Sequence, residues 1–215
     1  METPTVFSIA SKCFASIDEA DYAELCAPET WGAFIDELCA SIAPRSLYEL
    51  LSDREVAALK NPPSFADYSG FCRRHFTGGL AASAMPVESI YRTRRESPDG
   101  ERGSYRADSA LYMEDLIARL GLSLPSSYAA WPDHLALELD MLAVLQRSGY
   151  ADEARLFLSE RFDWLVDYRQ QLLQLGDPRA DFFIALVDVL IDAVTTEEQA
   201  DACCAASSAG DEQPS

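Results

Sequence analysis

The chain has 215 residues, 48% of them apolar, and 36 acidic side chains against 17 basic ones, for a formal charge of −19. A chain this apolar can bury a core and is not a disordered polymer. Its acidity excludes a binder of phosphate backbones, which needs a basic face, and no run approaches the roughly 20 uncharged apolar residues of a membrane span. The longest candidate, "FFIALVDVLIDAV", is interrupted by Asp188 and Asp192. The N-terminus shows no basic start followed by an apolar block, so a cytoplasmic protein is expected. Cys13, Cys26, Cys39, Cys72, Cys203 and Cys204 read as reduced structural thiols rather than a disulfide framework.

In chain order, nearly every segment has a helical period. "TVFSIASKCFASI" sets Phe7, Ile9, Ala10, Phe14 and Ile17 largely on one side, and Asp18 starts "DEADYAELCA" with acids in its first turn. "ETWGAFIDELCASIA" carries Trp31, Phe34, Ile35, Leu38 and Ile42 as a stripe that Pro44 ends. "RSLYELLSDREVAALK" is a helix or a pair of short turns closed at Asn61–Pro63, and Ser64 caps "SFADYSGFCRRHF". "AMPVESIYRTRRESPDGERGSY" reads as a long irregular connection, Arg-rich over 92–106. Helical patterning resumes in "ADSALYMEDLIARLG", after Pro132, in "ADEARLFLSERFDWLVDYRQQLLQLG" and in "DPRADFFIALVDVLIDAVTTEEQ", where Asp177 and Pro178 form an N-terminal signal. There is no strand alternation and no internal repeat. The expected architecture is a single all-α domain of roughly eight to ten helices over 1–195, followed by a small, polar, disordered tail over 196–215.

Two clusters carry the functional reading. On a helical wheel begun at Asp133, His134 and Glu138 stack at i, i+4 on the apolar side with Met141, Leu142 and Leu145. A buried carboxylate must be paired, and His134 is a candidate partner. Asp133 reads equally as an acid favoured in its own helix's first turn, and the His134–Glu138 pair equally as a network tying helices together. The second cluster is Glu88, Ser89 and Tyr91 in "PVESIY". It reads as a groove-lining acid and aromatic, or as a helix start with a buried Tyr.

Catalysis is disfavoured. The chain has only two histidines, His75 and His134. Cys72 and His75 have a ligand-like spacing without a second pair, and there is neither a phosphate-cradling glycine loop nor a nucleophile elbow. No cofactor and no metal are expected, and a metal-dependent hydrolase is the outlying alternative to a helical binding module.

"PVESIY", followed by "PDHLALELDMLAVL" and then "FLSERFDWL", resembles the redox-enzyme maturation chaperones, the family serving trimethylamine-N-oxide, dimethyl-sulfoxide and nitrate reductases. The resemblance is specific over 85–165, with Val87 standing where the family usually has an aromatic residue. It implies a non-enzymatic, all-helical cytoplasmic chaperone. Such a chaperone binds the twin-arginine signal peptide and the precursor of a molybdopterin oxidoreductase, assists cofactor insertion and proofreads export. It implies no nucleic acid, no membrane insertion and a peptide site around Asp133 and His134, with Glu88 and Ser89 matching the family's Glu-Ser. In that scheme Asp133 and Glu88 meet the basic part of the peptide, His134 orients a carbonyl or carboxylate, and Tyr91 and Leu137 line the apolar wall beside Glu138. Guanidinium groups suit carboxylates through bidentate bonds, so the scheme is chemically sound. A helical adaptor for a client without molybdenum, and a homodimer exchanging helices across 92–106, stay open.

Overall fold

A computed structural model describes residues 6–77, 83–96 and 108–209, with side chains described for 6–77, 83–92 and 108–196. Among the described residues it is all helix, with no strand or sheet, as the periodicity predicts. The helices are α1 (Val6–Phe14), α2 (Glu19–Leu25), α3 (Pro28–Ser41), α4 (Leu47–Leu50), α5 (Asp53–Lys60), α6 (Phe65–His75), α7 (Glu88–Glu96), α8 (Asp108–Arg119), α9 (Leu135–Arg147), α10 (Ala151–Arg161), α11 (Leu165–Gln174) and α12 (Ala180–Ala209). None of these is long and apolar enough to cross a membrane.

Local chemistry sets the boundaries. Asp18 and Ser64 accept the backbone N–H groups of Asp21 and Asp67, capping α2 and α6. Ser52 forms a reciprocal box with Glu55, which starts α5 and separates it from the single turn of α4. Among the described residues twelve α-helices form where eight to ten were expected, partly because such caps cut one periodic run in two. The run 151–176 is also divided. Phe162 and Trp164 turn inward between α10 and α11, and a tight turn from Phe162 O to Leu165 N bends the chain.

Two further expectations change. Residues 88–96 of the supposed irregular connection are helical, because Glu88 and Ser89 receive N-terminal partners from elsewhere in the fold. Residues 97–107, with Arg102 and Arg106, lie outside the described residues. The helix α12 continues past 196 to Ala209, through a stretch rich in Ala, Glu and Gln, all strong helix formers. The side chains of Cys203 and Cys204 lie outside the described ones.

The centre of the molecule is aromatic. Phe183 of α12 stacks on Phe71 at 4.6 Å and meets Phe76 at 5.1 Å and Phe14 at 5.8 Å, so α1, α6 and α12 converge on one ring. Asp188 and Asp192, buried on α12, are neutralised from outside: Arg169 forks onto Asp188 and Arg45 reaches Asp192 at 2.5 Å. A second aromatic group joins α7 to α11, where Tyr91 stacks on Trp164 at 5.4 Å and both rings touch Tyr168.

Candidate functional site

The two sequence clusters meet. Pro86–Glu88 and Asp133–Leu135 run antiparallel, with Val87 bridging His134, Glu88 N–H donating to Asp133 O at 3.1 Å and Leu135 N–H donating to Pro86 O at 2.8 Å. The Asp133 carboxylate then accepts the Ser89 backbone N–H at 2.7 Å, across 44 residues of sequence. Asp133 therefore caps α7. It does not stand in the first turn of the helix that follows it.

That helix, α9, begins only at Leu135. His134 is its N-cap, in an extended conformation, and its ring Nδ1 accepts the Ala136 N–H at 3.1 Å. The wheel begun at Asp133 is corrected here, because backbone committed to the bridge with Val87 cannot also be helical. The expected pairing of His134 with Glu138 is absent. The ring turns instead to the edge of Tyr128 at 5.0 Å. Burial lowers its pKa to about 4, so it is neutral near pH 7. With Nδ1 accepting, Nε2–H is the ring's donor.

Glu88, Asp133 and Glu138 all have 0% exposure. Glu88 is clamped by two guanidinium groups, Arg92 on Oε1 and Arg161 on Oε2, and Arg161 lies over the Tyr112 ring at 4.6 Å. Glu138 receives no hydrogen bond at either carboxyl oxygen and faces Glu88. Burial pushes the Glu138 carboxyl well above the ordinary range, and the neighbouring Glu88 and Asp133 charges push it further. Burial raises Glu88 as well, against the pull of the hydrogen bond from Glu138 and of its arginines. Two carboxylates side by side in the interior cannot both ionise, so Glu138 keeps its proton and donates it toward Glu88.

One residue of the motif faces open space. His134 lines a pocket of about 320 Å³ together with Phe14, Phe76, Met85, Tyr128 and Trp131, with Arg73 at its margin. Of the seven residues singled out in the sequence, Glu88, Ser89, Tyr91, Asp133 and Glu138 are buried and do not line the pocket, His134 lines it, and Leu137 is half-buried against the core. Tyr91 and Leu137 do not line it. The sequence reading missed its walls, although Tyr128 and Trp131 stand just before the Asp-His pair and signalled it.

Elsewhere, His75 is buried with Nε2 3.5 Å from Asp177, whose carboxylate is held at about 2 chiefly by Arg179. Among the described residues no group of three His, Cys, Asp or Glu side chains is placed to hold a metal ion.

A search of curated proteins finds no match. The model of the nitrate reductase delta subunit family matches residues 30–177, more than half of the chain. This range takes in both stitched segments, the Arg161 clamp and the aromatic walls from Phe76 to Trp131. On that match the chain belongs to the nitrate reductase delta subunit family, a family of molybdoenzyme-maturation chaperones rather than catalysts.

Proposed function

We propose that the protein acts in the cytoplasm on the precursor of a molybdopterin oxidoreductase, holding its twin-arginine signal peptide while the enzyme is assembled. The observation that carries this reading is the pocket beside His134, which opens on the stitch between the two motif segments. Its walls combine the rings of Phe14, Phe76, Tyr128 and Trp131 and the sulfur side chains of Cys72 and Met85 with the hydroxyls of Ser16, Thr77 and Ser127, so the apolar part of an export signal meets an aromatic surface with hydrogen-bonding groups set among it. His134, neutral and with Nε2–H as its donor, offers one hydrogen bond to a peptide carbonyl. Arg73 at the margin disfavours a cation in this pocket, so the basic part of the peptide sits elsewhere. Asp133 and Ser89 serve the site indirectly, by joining the start of α7 to the segment that leads into α9.

The test is calorimetric titration of a twin-arginine signal peptide into wild type, His134→Ala and Trp131→Ala, with folding checked by circular dichroism. Loss of one desolvated hydrogen bond or one aromatic wall weakens binding by about tenfold. Folded variants that both bind like wild type would refute the pocket.

A further inference from the structure

The Arg92 guanidinium sits in a seat built from three elements. Its Nε pairs with Glu88 Oε1, and its second terminal nitrogen reaches Asp163 Oδ1 at 2.7 Å and the Glu160 carbonyl O at 2.7 Å. The Glu88 carboxylate and the Glu160 carbonyl take hydrogen bonds from the planar fork, and Asp163 adds a second negative charge at ion-pair distance, a set that suits a guanidinium better than the compact point charge of an ammonium. The floor of this seat is closed, since Glu88 is fully buried, while the mouth is open: Asp163 is 42% exposed and Arg92 29%. Beneath the floor lies the Glu138 carboxyl, which receives no hydrogen bond. Arg161 holds the second oxygen of Glu88 independently. Removing Arg92 therefore leaves the floor carboxylate with a counter-charge.

We propose that the Glu88–Asp163–Glu160 cradle is a docking point for an arginine of the incoming peptide, and that Arg92 is its built-in competitor. The proposal rests on the reading above that the chain binds an arginine-bearing export segment. Exchanging one guanidinium for another changes the contacts little, so the exchange is decided by tethering. Arg92 is always at hand on the turn above Glu88, whereas a stray basic peptide is not. An entering arginine wins only when the same peptide is also anchored in the apolar pocket, which raises its effective concentration. Val87, bridged to His134, is the immediate neighbour of Glu88, so pocket and cradle share the stitch. On a chain of charge −19, which attracts every basic segment, this arrangement demands both an apolar anchor and an arginine.

The experiment uses the full chain as wild type, Arg92→Ala and Arg92→Ala/Asp163→Asn, with Arg92→Gln replacing Arg92→Ala should the latter not fold. Binding of a twin-arginine signal peptide and of its twin-lysine version is measured by calorimetry. Melting is followed with and without acetyl-Arg-Arg-amide. With the competitor gone, affinity for the twin-arginine peptide rises by about tenfold, as expected when the competent state was a minor fraction. The twin-lysine peptide gains less. The dipeptide raises the melting temperature of Arg92→Ala but not that of wild type, and Asp163→Asn removes both effects. Wild type that binds the peptide while the Arg92 variants gain neither affinity nor dipeptide stabilisation overturns the cradle and spares the pocket. No binding by any of the proteins overturns both.

Discussion

Asp133 performs for α7 the task that a Ser or Asp performs at an ordinary N-cap, from a distant part of the chain. Its truncation leaves the buried Ser89 N–H without an acceptor, which costs about 2 kcal/mol, a cap and part of a desolvation penalty together. For a chain of this length the melting temperature of Asp133→Ala drops by roughly 4–8 °C, and Asp133→Asn recovers much of the loss because its amide oxygen can take over from the Oδ2 that accepts the Ser89 N–H. A thermal melt decides the matter, and Asp133→Ala melting with wild type would remove the cap from the account. The Asp-His and Glu-Ser pairs were legible in the sequence as two clusters, linked by the family resemblance. Their geometry was not. Helical periodicity describes a single segment, whereas the phase of α9 is set by backbone pairing with Pro86–Glu88, a contact that periodicity cannot express.

Among the elements, α12 draws several others together. It packs against α5, α10 and α11, and Phe183 gathers rings from α1 and α6. Phe183→Ala leaves a void bordered by Phe14, Phe71 and Phe76 and is expected to cost about 3–5 kcal/mol, read as a lowered urea midpoint with an unchanged slope. A midpoint within error of wild type would show that the cluster closes over the gap. The apolar stripe of this helix was readable from "FFIALVDVLIDAV", as were the capped starts of α2 and α6. Beyond the Tyr128 and Trp131 that precede the Asp-His pair, the pocket was not readable, because Phe14, Phe76 and Met85 come from separate parts of the chain. The break between α10 and α11 was also hidden: Phe162 and Trp164 continue the apolar count while ending the helix.

For the whole molecule, buried titratable groups shape the pH dependence of stability, and His134 and Glu138 act in opposite directions. His134 has its pKa depressed from 6.5 to about 4, so between those values the unfolded chain takes up a proton that the folded ring refuses. Stability is therefore lost as pH falls through this window, by up to about 3 kcal/mol. Glu138 has the opposite sign. Its raised pKa means that the folded state holds a proton the unfolded chain releases, and the associated stability is lost as pH rises above the ordinary carboxyl range. Urea midpoints taken from pH 4 to 9 should give a dome, with the acid limb flattened by His134→Gln and the alkaline limb flattened by Glu138→Gln. Limbs that stay parallel to wild type in both variants would assign the profile to other groups.

The stitch between Pro86–Glu88 and Asp133–Leu135 also has a topological consequence. It pins both ends of the excursion that carries α7 and α8, so that excursion is a closed loop anchored at its base. The entropy of closing such a loop grows only with the logarithm of its length, about 0.6 kcal/mol for each doubling. Residues can therefore be inserted or removed between α7 and α8 while the base stays shut. Relatives of this chain are free to differ most in that stretch and still present the same pocket wall at Trp131 and His134.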